Sequence, residues 1–271
     1  MIVKQVTGVN GTKRNDKIDL ADCAVEKCFW FHLIPPAEWG VYQTAIDAAR
    51  RVEVPFLLGG AFGLAAYTGR WRNTKDLDLF IRPENRERLV AALEAAGFSD
   101  YHARLAYDRN WIYRAVRDDV IVDLIWQTPN RRSVVDDAWF QHSRIFLVQR
   151  ENLQVVPAEE LLWIKLYVLQ RDRCDWPDVI NLLDATGADL DWDRLLDRLR
   201  ADIPLLEGAL KVFAWVSPNG AAKLPGRIRA KFRLCETPGD RGEAIGMDRV
   251  RLLDSRQWYA AAQAADQPMH I

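Results

Sequence analysis

Cysteine and histidine are scarce in this chain, four of each in 271 residues, and their placement excludes the common metal frameworks. Only Cys23 and Cys28 are close to each other. Their spacing fits neither a zinc nor a redox CxxC motif, and Cys174 and Cys235 stand far away, so all four read as free thiols of a reducing compartment. His32, His102, His142 and His270 are too scattered for a structural zinc site. Long hydrophobic runs are missing as well. The opening stretch MIVKQVTGVNGTKRND has no apolar core of the signal-peptide kind, and nothing later approaches the ~18 uninterrupted apolar residues of a membrane span. The expectation is a cytoplasmic protein with no membrane partner. Neither sign of charge dominates: 37 basic residues face 38 acidic ones for a net charge of −1, so any nucleic acid must be met by a local patch. Internal repeats and low-complexity runs are also absent, although the tail from Pro238 is polar.

What the chain has is apolar material, 49% of its residues, at a length suited to one large domain or two smaller ones. Val41, Ala45, Ala48 and Ala49 recur at helical spacing within residues 37–51, and a short strand-like run over 52–58 follows. Gly59 and Gly60 end that run. Residues 60–67 then read as a helix closed by Gly69, residues 76–81 as a strand, and the stretch after Pro83 as a helix stopped by Gly97. Residues 111–116 and 120–126 predict an antiparallel hairpin across Arg117, Asp118 and Asp119. A short strand over 145–148 comes next, followed by helices over 159–170, 176–184, 192–199 and 204–215. The expected fold class is α+β: a mixed sheet flanked by helices, then a helical second domain. The expected boundaries are an extension over 1–36, a catalytic domain over 37–155 and a helical domain over 156–271.

The chemistry concentrates on three aspartates. Asp76 and Asp78 alternate with Leu77 and Leu79, so in a strand both carboxylates face one side, their Cα atoms ~6.6 Å apart. Two like charges on a largely apolar strand repel each other and resist burial, a penalty that a dication removes. Asp123 stands alone in the apolar run from Val120 to Trp126 and needs a partner there. If the two strands are neighbours, three carboxylates converge as a two-metal phosphoryl-transfer site requires, with ions ~3.5–4 Å apart. Asp118 and Asp119, at the hairpin tip, read as a solvated turn. Gly59 and Gly60, at a strand-to-helix junction, admit a ligand close to the backbone, and the helix start offers free amides to phosphate; alone, the pair is only a tight turn.

The pair Gly59 and Gly60, then Arg72, Thr74, Asp76, Leu77 and Asp78, then an isolated strand Asp123, resembles the DNA polymerase beta-like nucleotidyltransferase superfamily. It is most similar to the small bacterial branch that includes abortive-infection nucleotidyltransferase toxins, with their Arg-x-Thr-x-Asp-Leu-Asp signature. The resemblance covers about residues 40–126, and many members carry Gly-Ser where this chain has Gly59 and Gly60. Lys165, Arg171, Asp175 and Asp178 form a weaker match to the pattern that follows the catalytic domain.

The resemblance implies transfer of a nucleoside monophosphate from a triphosphate to an acceptor hydroxyl, with pyrophosphate released. Asp76, Asp78 and Asp123 would be both the catalytic residues and the ligands of two Mg²⁺ ions, with Mn²⁺ as the alternative. Gly59, Gly60, Arg72, Thr74 and Lys165 would bind the nucleotide. Implied partners are a nucleoside triphosphate such as ATP, an RNA such as tRNA as acceptor and, for a toxin-type enzyme, an antitoxin protein. Other readings stay open. Lys165 could snorkel from a core helix and Asp175 could cap the next one. Lys223, Arg227, Arg229, Lys231 and Arg233 are either an RNA-binding patch or a solvated face. The chain could also be an inactive nucleotide- or partner-binding module, or an enzyme acting on a small hydroxylated molecule.

Overall fold

The computed structural model describes residues 26–27, 30–72, 74–234 and 249. Cys23, Cys28, Cys235, His270, the tail from Pro238 apart from Arg249, and most of the N-terminal extension lie outside the described residues. The strands are β1 (Glu26–Lys27), β2 (Leu57–Leu58), β3 (Asp76–Phe80), β4 (Ser99–Asp100), β5 (Ile112–Arg117), β6 (Val120–Ile125), β7 (Arg144–Val148) and β8 (Glu151–Val155). They form one mixed sheet in the order β1-β7-β8-β2-β3-β6-β5-β4. β3 and β6 are parallel neighbours, while β5 and β6 are the expected antiparallel hairpin.

Period-two alternation assigns the two faces of this sheet. Leu77 and Leu79 of β3, Val122 and Leu124 of β6, and Tyr113 and Ala115 of β5 enter one core, with Ala45 and Ile46 of helix α1 (Pro36–Arg51) and Leu89 and Leu93 of helix α3 (Arg86–Ala95). Phe80, Ile125 and Ile112 point the other way. There they join a second core with helices α5 (Ala158–Leu166), α6 (Trp176–Thr186), α7 (Trp192–Leu199) and α8 (Ile203–Val216). Helix α2 (Gly60–Thr68) starts where β2 ends and feeds both cores, Phe62 into the first and Leu64 into the second. Gly69, with φ of 70°, closes α2 by donating its N–H to the Ala65 carbonyl, and Gly97, with φ of 87°, follows α3. The α+β class is therefore the fold observed.

Several local expectations change. The run over 52–58 pairs as a strand only at Leu57 and Leu58, because the turn that closes α1 takes up its first residues: the Val52 and Val54 amides bond to the Ala48 and Ala49 carbonyls, and Glu53 sits at φ of 51°. The helix expected to reach residue 170 stops at Leu166, and a small turn with a bridge from Leu169 to Cys174 replaces its last part. β8 was not expected, nor was helix α4 (Asp137–Gln141), which Asp136 caps by accepting a bond from the Ala138 amide. The basic run lies on and around helices α9 (Pro218–Ala222) and α10 (Gly226–Lys231), with Leu224, Ile228 and Phe232 turned into the core and the charges largely outward.

Candidate active site

The helical layer does not cover the whole sheet face. It leaves a cleft of about 960 Å³ where the side chains of β3 and β6 change from Phe80 and Ile125 to Asp78, Asp76 and Asp123. The parallel register sets Asp78 directly beside Asp123 and Asp76 beside Ile121, so alternation turns all three carboxylates to one face, as the sequence suggested. Thr74 donates its hydroxyl to Asp76 Oδ1 at 2.6 Å, fixing the first carboxylate of the group.

Electrostatics mark Asp78 as the strained member. Its burial, followed by repulsion from Asp76 and Asp123, pushes its carboxyl from 3.8 up to about 8, against the opposing pull of Lys165 and Arg173. Asp123 is only 2% exposed and is held by Arg114, whose Nε donates to Oδ1 at 2.8 Å and whose Nη2 donates to Oδ2 at 2.7 Å. Burial still pushes Asp123 up, with the Arg114 bonds and charge opposing. Arg114 was not anticipated, yet the hairpin made it legible. Counting outward from the tip, Arg117 pairs with Val120 and Arg114 with Asp123, so a basic residue meets the lone acidic one of β6.

The two glycines serve packing first. A Cβ on Gly59 would lie 2.3 Å from the Phe80 ring, and one on Gly60 would lie 1.6 Å from Asp78 Oδ2. Gly60 also has φ of 52°, which disfavours any side chain. This close fit leaves the first turn of α2 against the carboxylates, with Gly60 and Ala61 lining the cleft and amides there lacking intrahelical acceptors.

On the opposite wall, Lys165 is buried and donates to Asp178 at 2.6 Å and to Asp175 at 3.2 Å, so it neither snorkels into solvent nor stands unpaired. Arg72 reaches the same Asp178 at 3.3 Å, and Arg173 pairs with Asp175. Asp175 precedes α6 without capping it by its side chain. Burial raises the Asp175 carboxyl, but Lys165 and Arg173 outweigh it and the net shift is downward. Asp76, Asp78, Asp123, Gly60, Arg72, Thr74 and Lys165 thus line a single cleft, whereas Gly59 packs on Phe80 behind it. None of the five residues of the basic run lines it; Arg227, for example, pairs with Asp193.

The residues suit a divalent cation at Asp76 and Asp78. A buried carboxyl raised by its acidic neighbours is the group a dication would relieve, and oxygen-only donors suit Mg²⁺. Among the described residues no group of three His, Cys, Asp or Glu side chains is arranged around one point, consistent with Asp123 being turned to Arg114.

No curated protein matches the chain by sequence. Among solved structures it is similar to the antibiotic-resistance factor ANT(2'')-Ia, at 17% identity over 65% of this chain and 97% of that one, with a TM-score of 0.47. It is also similar to the lincosamide antibiotic adenylyltransferase LnuA, at 15% identity over 55% of this chain and 96% of that one, TM-score 0.40. An antigenic nucleotidyltransferase-like protein from Paracoccidioides brasiliensis is similar at 17% identity over 63% and 91% of the respective chains, TM-score 0.35. Residues 48–203, more than half of the chain, match the family described as uncharacterised nucleotidyltransferase, in agreement with the polymerase beta-like resemblance of about residues 40–126, and the protein belongs to that family.

Proposed function

We propose that the chain is a Mg²⁺-dependent enzyme that moves a nucleoside monophosphate from a triphosphate to an acceptor hydroxyl. The observation that carries this reading is the convergence of Asp76, Asp78 and Asp123 on one face of the sheet beside the start of α2, in a cleft of about 960 Å³. Asp76 and Asp78 hold the cation, which supplies charge neutralisation for the phosphates when bound. The first-turn amides of α2 bind phosphate oxygens, with Gly59 and Gly60 allowing the close approach, and Arg72 and Lys165 turn toward the leaving phosphates. Thr74 keeps Asp76 in place. Asp123 orients the acceptor hydroxyl and takes its proton as the acceptor oxygen bonds to the α-phosphorus and the bond to pyrophosphate breaks.

The acceptor we propose is an RNA such as tRNA, as for the toxin-type relatives in the resemblance; an antitoxin partner belongs to that same proposal. A second reading, a small hydroxylated acceptor, is favoured by the position of Lys223, Arg227, Arg229, Lys231 and Arg233 outside the cleft. One experiment separates these readings. The protein is incubated with each labelled triphosphate and Mg²⁺ in the presence of total RNA or a panel of hydroxylated small molecules, and both label transfer and pyrophosphate are measured. Transfer to RNA supports the first reading and transfer to a small molecule the second. Triphosphate binding without pyrophosphate release under every condition leaves a nucleotide-binding module, and Mg²⁺-independent transfer overturns the metal assignment.

A further inference from the structure

Asp123 stands in the register position of a third metal ligand, but it already has a cation. Both of its oxygens accept from the Arg114 guanidinium, at 2.8 and 2.7 Å, in the parallel two-pronged geometry that matches a carboxylate. Arg114 is not placed there by accident of surface packing. It projects from the strand paired with β6, directly opposite Asp123, and its backbone amide is bonded to the Tyr107 hydroxyl at 2.9 Å. The Tyr101 ring lies 5.8 Å from its guanidinium carbon. The backbone of Arg114 is thus anchored and its guanidinium is held by Asp123 with Tyr101 alongside, where it borders the same cleft as Asp76 and Asp78.

We infer that Arg114 takes the place of the second divalent cation, so that the site binds one cation, on Asp76 and Asp78, while Asp123 remains outside its coordination sphere. This rests on the metal-dependent reading above and departs from the two-ion arrangement that the sequence alone suggested. A fixed guanidinium balances the charge of the third carboxylate. It also leaves Asp123 the remaining lone pairs of each oxygen for the acceptor. Arg114 is thus a positioning residue, acting through Asp123.

The test is calorimetric titration of the full-length protein with Mn²⁺ alone, which reads the site without turnover. Wild type and Asp123→Asn are each expected to bind one Mn²⁺ per chain, because no ligand has been removed, with Asp123→Asn losing less affinity than Asp78→Asn. Asp78→Asn is expected to lose at least about 100-fold in affinity, at or beyond what an outer-sphere partner costs. Arg114→Gln, checked for folding by circular dichroism, is expected to gain a second Mn²⁺ that Arg114→Gln/Asp123→Asn lacks. If Arg114→Gln does not fold, the wild-type and Asp123→Asn titrations still decide the matter. Two ions in wild type with one lost in Asp123→Asn overturns this inference and leaves the metal-dependent reading standing. No Mn²⁺ bound by wild type overturns both.

Discussion

The carboxylate of Asp78 occupies the space in which a side chain on Gly60 would begin: a Cβ there would lie 1.6 Å from Asp78 Oδ2. The glycine that opens α2 and the aspartate of β3 therefore form one fitted unit, and a side chain at Gly60 must displace the Asp78 carboxylate. Gly60→Ala must place a side chain at φ of 52°, a cost of about 1 kcal/mol, and must also push the carboxylate aside. A displacement on this scale is expected to lower turnover by about 100-fold while the protein still folds. Gly59→Ala is expected to behave differently. Its Cβ would strike the Phe80 ring, which belongs to the core shared with the helices, so the loss appears first as a lower Tm. Parallel thermal melts and turnover measurements check the contrast. Equal melting losses in the two variants, with activity intact in Gly60→Ala, would contradict it.

Burial and two acidic neighbours give Asp78 a direction of pH dependence. Its folded-state carboxyl is raised to about 8 from 3.8, so the folded protein binds this proton more tightly than the unfolded chain does. The associated stability is fully present below the unfolded value and is lost as pH rises through 8. A divalent cation relieves the ionised form, so Mg²⁺ should raise Tm more at pH 8.5 than at pH 6. Asp78→Asn should melt higher than wild type in EDTA at pH 8.5 and respond little to Mg²⁺. Melting curves over this pH range, with Mg²⁺ or EDTA, measure both effects; a Mg²⁺ response of equal size at both pH values would refute the assignment to Asp78.

Lys165 is expected to matter for stability as well as for the triphosphate. It is 5% exposed and satisfies Asp178 at 2.6 Å and Asp175 at 3.2 Å. Lys165→Met would strip a cation from two carboxylates, leaving Arg173 and Arg72 as their remaining partners. Removing one member of a buried ion pair costs about 3–5 kcal/mol, which corresponds to a fall of order 10 °C in Tm. Lys165→Met/Asp178→Asn should recover part of this. Triphosphate affinity should fall in both variants, because the cation is gone from each. Recovery of affinity together with stability in the double variant would assign Lys165 a structural role only.

How much of this could be read in advance depended on whether the signal was local. The carboxylate trio was legible because alternation in two apolar strands fixes which side chains share a face. The β5–β6 hairpin followed from Asp118 and Asp119, turn-forming residues that adopt φ of 50° and 61°. The β7–β8 hairpin has the same backbone at Gln149 and Arg150, with φ of 49° and 71°, but neither residue announces a turn, and β8 was missed for that reason. Helix α5 is shorter than its apolar pattern, which continues through Val168 and Leu169, because a local turn that bridges Leu169 to Cys174 overrides it. Arg114 was recoverable from the hairpin count. The anchoring of Lys165 by Asp178 was not, since it depends on how α6 packs across α5.

The last expectation concerns the division near residue 155. Leu57, Phe80, Ile112, Ile125 and Trp139 from before that point share one core with Leu161, Leu182, Leu195 and Phe213 from after it. Charges bind the same seam. Arg198 of α7 donates to both oxygens of Asp136, at 2.6 and 2.8 Å, and Arg72 pairs with Asp178 at 3.3 Å. Separating the halves would expose the common apolar face and leave Arg198 without Asp136, so neither piece keeps what stabilises it. Calorimetric unfolding of the intact protein is therefore expected to show one transition, with calorimetric and van't Hoff enthalpies in agreement. Arg198→Met should lower its midpoint without splitting it. Two resolved transitions in wild type, or a folded fragment ending at residue 155, would show that the halves are independent and that this shared core contributes little to either.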